Sequence, residues 1–227
     1  MSEIKKNLEN IYERIELAAS KSGRKIDAIT LVAVSKTYPA EKIIEAYNCG
    51  QYIFGENRVQ EALDKIGILK DYKDIKFHLI GHLQTNKVKY LKDNFSLIHS
   101  VDRIELVNEM EKRFSKLNRI QDILIQVNVA KEPQKSGVLP EDFDVLLDKV
   151  LKSNFLNLKG LMMIPPFLDN PEDNRIYFRK MYELFEKVNT LKKVEYLSMG
   201  MSDDFEIAIQ EGSNMVRIGS AIFGKRG

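Results

Sequence analysis

Tryptophan is absent from this chain, and cysteine occurs once, at position 49. A lone thiol excludes an internal disulfide and a cysteine-rich metal centre. Histidine is scarce too, with three residues. His78 and His82 are four apart but have Gly81 between them at a strand end, no H-E-x-x-H occurs, and His99 stands alone; no metal site is expected. No stretch approaches the ~20 apolar residues of a membrane span, and the opening Met-Ser-Glu-Ile-Lys-Lys-Asn lacks the apolar core of a secretion signal. Excess charge of one sign is also missing. Thirty-five Lys and Arg face 33 Asp and Glu, a net charge of +2, which leaves no electrostatic footprint for nucleic acid. The nucleotide fingerprints G-x-G-x-x-G and G-x-x-x-x-G-K-[ST] do not occur. These absences leave a cytoplasmic globular protein with no membrane and no nucleic-acid partner.

What is present is alternation. The 227-residue chain opens with a helix over 3–20, where Ile4, Leu8, Ile11 and Ile15 recur at helical spacing and Ser22-Gly23 supplies the stop. Strand-like runs follow near 29–35, 51–54, 76–80, 96–99, 122–129, 157–162, 194–197 and 215–218. Helical stretches fall near 40–49, 57–69, 84–92, 103–117, 140–152, 171–190 and 203–211. Pro39, Asn57, Pro140 and Pro171 suit caps or first turns. Strict alternation argues for parallel strands with right-handed crossovers. Eight units predict an α/β fold, a single (β/α)8 TIM barrel with an extra N-terminal helix, in which residues 1–227 form one domain.

The active face of such a barrel lies at the carboxyl ends of its strands. Lys36 stands one residue past the apolar run 29–35, where desolvation frees the amine lone pair that carbonyl-capturing lysines use; the alternative is a lysine that snorkels to solvent. After strands 7 and 8 come Ser198-Met199-Gly200-Met201-Ser202 and Arg217-Ile218-Gly219-Ser220. Barrels often hold phosphate there, with Ser198 and Ser220 as hydroxyl donors and Gly200 and Gly219 admitting the backbone; otherwise both glycines are turn formers and Ser202 a cap. Arg217 lies inside an apolar strand, where it needs a partner: Glu56 on a neighbouring strand, or a ligand phosphate or aromatic nitrogen. His82 is a ligand-contact candidate on the strand-3 rim. Asn57 reads first as a helix cap, and Met162 with Met163 as core and barrel-mouth packing, with Met162 counted among the candidate cofactor contacts. Lys131 and Lys135 read as a solvated basic loop, with Lys135 near enough to the mouth to offer a second amine.

Six segments then carry a resemblance: Val34-Ser35-Lys36, Phe54 to Glu61 (FGENRVQE), His78 to Lys87 (HLIGHLQTNK), Gly160-Leu161-Met162, Leu197 to Ser202 (LSMGMS) and Val216 to Ser220 (VRIGS). In this order the chain resembles the pyridoxal phosphate homeostasis proteins, the YggS/PROSC family. The resemblance implies a barrel related to the N-terminal domain of alanine racemase and pyridoxal 5′-phosphate held as a Schiff base on Lys36. It implies phosphate contacts from Ser198, Gly200, Gly219 and Ser220, Arg217 at the pyridine nitrogen, and Asn57 at the ring's other polar edge. Where some relatives have threonine this chain has Ser220, which keeps the hydroxyl. A basic tail could draw only on Lys225 and Arg226.

Three functions compete at this point: a cofactor buffer or carrier in pyridoxal phosphate homeostasis, a racemase or related enzyme using the cofactor, and a cofactor-free enzyme for a phosphorylated metabolite. Racemisation needs acid–base groups on both faces of the cofactor, and related racemases take one from an additional domain and a partner subunit. An arginine at the pyridine nitrogen also makes the ring a weaker electron sink. The expectation is a non-catalytic monomeric carrier that serves cofactor-dependent apo-enzymes.

Overall fold

The strand Thr30–Val34 (β1) is apolar because both its faces are covered: Leu31, Val32, Ala33 and Val34 are all buried. In the computed structural model, which describes residues 2–224, seven strands follow: β2 (Ile53–Glu56), β3 (Lys76–Leu79), β4 (Leu97–Val101), β5 (Gln121–Gln126), β6 (Leu156–Met162), β7 (Tyr196–Ser198) and β8 (Met215–Ile218). They pair in parallel in sequence order, and β8 closes on β1 with Thr30 opposite Met215 and Ala33 opposite Ile218. The architecture is the expected (β/α)8 TIM barrel. Lys225 and Arg226 lie outside the described residues.

The helices are α1 (Glu3–Lys21), α2 (Ala40–Tyr47), α3 (Val59–Ile68), α4 (Ile104–Lys116), α5 (Phe143–Leu151), α6 (Arg175–Leu191), α7 (Phe205–Gln210) and α8 (Ser220–Phe223). The helix expected after β3 is instead a 3-10 helix, Thr85–Tyr90. Val88 and the capping Leu91, three apart, are both fully buried, and a three-residue turn stacks them on one side. Helix α8 has only four residues, too few for any periodicity to reveal. Pro39 is the N-cap of α2, and Arg58, not Asn57, caps α3. Pro171 opens a 3-10 turn whose cap, Asn170, accepts from the Glu172 N–H.

Helix α1 covers the seam of the barrel. Ser2 caps it by accepting from the Lys5 N–H, and Ile4, Leu8, Ile11 and Ile15 form one buried stripe. That stripe faces α7 and α8, with Asn7 Nδ2 donating to the Ile222 carbonyl at 2.9 Å and Arg14 paired with Glu206 at 2.8 Å. Each buried isoleucine contributes about 1.5–3 kcal/mol, so Ile11→Asp would strip the helix from the barrel. No helix among the described residues is long and apolar enough to cross a membrane.

Inside the barrel the period of two sorts side chains by layer. Val32, Leu97, Leu124, Met162 and Met215 form an apolar floor. The next inward positions are polar, with His78, His99, Ser198 and Arg217 joined by hydrogen bonds. Val34 and Ile80 line the mouth above them. The alternate residues, such as Leu31, Ala33, Phe54 and Leu79, belong to the larger core beneath the helices. The lumen is thus dry below and polar above.

Candidate cofactor site

The barrel mouth opens into a cavity of about 450 Å³. Lys36, Asn57, His82, Arg217, Gly219 and Ser220 line it, so strand ends far apart in sequence converge as expected. Lys36 is half-buried. β1 ends at Val34, and the Ser35 N–H reaches the Gly55 carbonyl at 3.0 Å. Alternation turns Ser35 outward and Lys36 over the mouth. Asn57, relieved of the capping role, lies directly after β2. Its backbone presses on Gly81, where an added Cβ would lie 2.2 Å from the Asn57 carbonyl oxygen; only glycine fits there.

Arg217 is 4% exposed and occupies the wall below Lys36's rim. Its Nη1 donates to Ser198 Oγ at 2.6 Å and its Nη2 to the Met163 carbonyl at 2.7 Å. Burial pushes the guanidinium down to about 10, opposed by the Asp204 carboxylate, which leaves it cationic at neutral pH. Glu56 is not its partner. Gly55 takes the inward position on β2, so Glu56 points outward into the helix layer. There it meets Lys65 of α3 at 2.7 Å, with side chains 0% and 8% exposed. Ser35 Oγ donates to the same Glu56 oxygen at 2.6 Å.

Below Arg217 the polar chain has a definite direction. A guanidinium only donates, so the Ser198 hydroxyl accepts from it and turns its own proton toward His99 Nδ1, 3.2 Å away. His99 then carries its proton on Nε2 and donates to His78 Nδ1 at 3.1 Å. Burial holds His78 down to about 3 and His99 well below the usual imidazole range. Both rings are neutral, as this relay requires.

Three expected contacts do not line the cavity. Met162 is fully buried in the barrel floor, one inward layer too deep. Ser198 is fully buried at the level of Arg217, and its hydroxyl is occupied by Arg217 and His99. Gly200 turns away under α7 with φ +96°, its carbonyl accepting the Arg217 N–H at 3.0 Å; an added Cβ would lie 2.7 Å from Ala208 Cβ. The next residues, Met201, Ser202 and Asp203, reach the cavity instead. Ser202 and Ser220 bring their hydroxyls within 3.5 Å of each other, so the loops after β7 and β8 do meet. Asp204, rather than Ser202, precedes α7, and its carboxylate accepts the Met201 N–H at 2.7 Å.

The loop after β5 forms part of the cavity wall and is not simply solvated. Gln126, Gln134, Lys135, Ser136 and, from the β6 loop, Ile164 also line the cavity. Asn128 ties this loop down by donating to the Glu132 and Lys135 carbonyls and accepting the Glu132 N–H. Lys131 pairs with Glu141 at 3.0 Å. Lys135 pairs with Glu132 and donates to the Pro165 carbonyl, both at 2.6 Å. Ser136 Oγ lies 3.1 Å from His82 Nδ1, which anchors the loop to the strand-3 rim. An asparagine two residues past a strand, followed by Pro and Gly, was the available signal for an ordered turn.

The chain is similar to known proteins over nearly its whole length. Residues 6–227 match the alanine racemase N-terminal domain. A pyridoxal phosphate homeostasis protein of Aquifex aeolicus is 50% identical over 221 residues, 96% of each chain. Its Escherichia coli counterpart is 40% identical over 234 residues, covering all of this chain and 98% of the other. The structure of PipY from Synechococcus elongatus with PLP bound superposes with a TM-score of 0.82 at 34% identity, over 94% of this chain and 100% of that one. The chain belongs to the alanine racemase N-terminal domain family and, within it, to the pyridoxal phosphate homeostasis proteins.

Proposed function

We propose that this protein binds pyridoxal 5′-phosphate at the barrel mouth, through Lys36, and serves homeostasis of that cofactor by holding and releasing it. The observation that carries the reading is one cavity lined by the Lys36 amine, the buried Arg217 cation and the meeting loops after β7 and β8. The residues fit the group. Gly219 lies so near β1 that an added Cβ would be 3.3 Å from Val34 Cβ and its carbonyl oxygen, which keeps that wall of the cavity open.

Bound pyridoxal 5′-phosphate supplies an aldehyde carbon that combines reversibly with amines. Lys36 and Lys135 both line the cavity; Lys135 Nζ is engaged by Glu132 and the Pro165 carbonyl, and Lys36 is the amine proposed to take the aldehyde. Ser202 and Ser220 offer hydroxyl donors to an anion, and the first amides of α8 lack intrahelical acceptors. Asn57 offers an amide to a polar ring edge. Arg217, fixed by Ser198 and the Met163 carbonyl, donates and does not accept. It therefore does not hold a proton on a ring nitrogen, which favours tethering over carbanion chemistry. In this reading residues 1–227 act as one cytoplasmic, monomeric domain that serves cofactor-dependent apo-enzymes and has no robust catalysis of its own.

The purified protein should be yellow, and borohydride should fix the cofactor on the Lys36 peptide, with Lys36→Ala colourless and unmodified. A wild type that stays colourless and unmodified after incubation with the cofactor would overturn the reading. Steady inversion or decarboxylation of an amino acid by the loaded protein would replace the carrier with an enzyme.

A further inference from the structure

Lys36 occupies a corner of a tight turn. The Tyr38 N–H donates to the Ser35 carbonyl at 3.1 Å, and Thr37 between them has φ +68°. The third position of such a turn favours glycine or asparagine, because a Cβ crowds the backbone at positive φ. Four non-glycine residues among those described have positive φ: Thr37, Lys92, Asn118 and Lys131. Thr37 alone of these is branched at Cβ, the least tolerant kind. Strain of this sort persists only where surrounding structure imposes it.

The imposing structure is one face of α3. Glu61 Oε1 accepts the Thr37 N–H at 2.6 Å. One turn later Lys65 Nζ donates to the Ser35 carbonyl at 2.8 Å, to Glu61 Oε1 at 2.7 Å and to Glu56 Oε1 at 2.7 Å. The three protons of the ammonium are thus all directed. The peptide groups on either side of Lys36 are gripped by opposite charges at i and i+4 of a single helix, and Glu56 anchors the grip from beneath. We propose that Glu61 and Lys65 are positioning residues, a clamp that holds the Ser35–Tyr38 turn in its strained form and so aims Lys36 into the cavity. This rests on the reading that Lys36 takes the cofactor's aldehyde, and it adds that the direction of the amine is set from outside the barrel. Pre-organisation of this kind raises effective concentration without a new contact to the ligand.

The test uses Glu61→Ala, since Glu61 is partly exposed on a helix and alanine suits that backbone. Two quantities are read: affinity for pyridoxal 5′-phosphate with borohydride fixation at Lys36, and the backbone angle at residue 37 in a crystal structure of the cofactor-free variant. Affinity should fall roughly tenfold, and Thr37 should leave the left-handed region. Adding Thr37→Gly, for which positive φ is unstrained, should restore most of the loss, and Glu61→Gln, which keeps an acceptor, should lose less. The clamp is refuted if Glu61→Ala binds as wild type does, if Thr37→Gly restores nothing, or if Thr37 keeps its angle without Glu61. Should wild type itself refuse the cofactor, the functional reading falls, and the angle at residue 37 still decides the clamp.

Discussion

Replacing Lys65 with methionine tests the electrostatics behind the barrel wall. Methionine keeps the length and apolar stem of the side chain but removes the ammonium, so the change isolates charge. Three acceptors lose their donor: the Ser35 carbonyl, Glu56 Oε1 and Glu61 Oε1. Glu56 suffers most, being fully buried with no partner for Oε2 among the described residues. Breaking a buried pair by removing one partner costs about 3–5 kcal/mol. In a chain of this size that lowers the melting temperature by about 6–20 °C. The loss should depend on pH in a definite sense. Burial already holds the Glu56 carboxyl above its ordinary value, against the lowering pull of Lys65 and Ser35. A folded value above the unfolded one means that the folded state keeps a proton the unfolded chain gives up. That contribution is complete below the ordinary carboxyl range and is lost as pH rises through the folded value. Without Lys65 the folded value moves further up, so the variant recovers part of its deficit in acid. Thermal unfolding of wild type and Lys65→Met at about pH 5.5 and about pH 8 should show the larger gap at the higher pH. A gap below about 1 kcal/mol, or one equal at both pH values, would mean that water reaches Glu56 and that the pair is an ordinary surface one.

Two further outcomes follow from the lumen and its rim. Gly81→Ala places a methyl 2.2 Å from a backbone oxygen of Asn57, so Asn57 must move; we expect a stability loss of about 1–3 kcal/mol and weakened cofactor binding, measured by denaturant titration and absorbance. His78 and His99 should stay neutral from about pH 5 to 8, so their ring resonances should not titrate in that interval. Because burial holds both below the unfolded value, stability should fall as pH drops from about 6.5 toward the folded value of about 3 for His78. Titration of either ring near neutrality would break the one-way relay from Arg217.

Much of the barrel was legible because each β/α unit repeats a short apolar run followed by a stretch with a period of 3.6. The parity of each strand was not. Nothing in Phe54-Gly55-Glu56 says which residue looks inward until closure of the barrel supplies a reference, so Glu56 stands as one of two candidate partners for Arg217 although the two point to opposite sides of the sheet. The same missing reference leaves Met162 open between core and mouth and puts Ser198 on the rim, when both sit in layers below it. Lys36, Gly219 and Ser220 lie past their strands, where parity matters less, and all three line the cavity. Composition alone reads the loop 130–137 as solvated, but Asn128 orders it through backbone carbonyls that no side-chain pattern displays.

The closure of β8 on β1 also sets a timetable. Asn7 bonds to the Ile222 carbonyl across a separation of 215 residues, and the Tyr38 hydroxyl to the Gly224 carbonyl across 186. During synthesis α1 and β1 therefore leave the ribosome well before β8 and α8, and wait, apolar stripe uncovered, for those partners. Topologies dominated by such distant pairings fold slowly and expose sticky surface while they do. Lys36 is made long before β8, yet its cavity comes into being only when β8 arrives. A growing chain therefore has the amine without the pocket, and discrimination for the cofactor is gained only once β8 closes on β1.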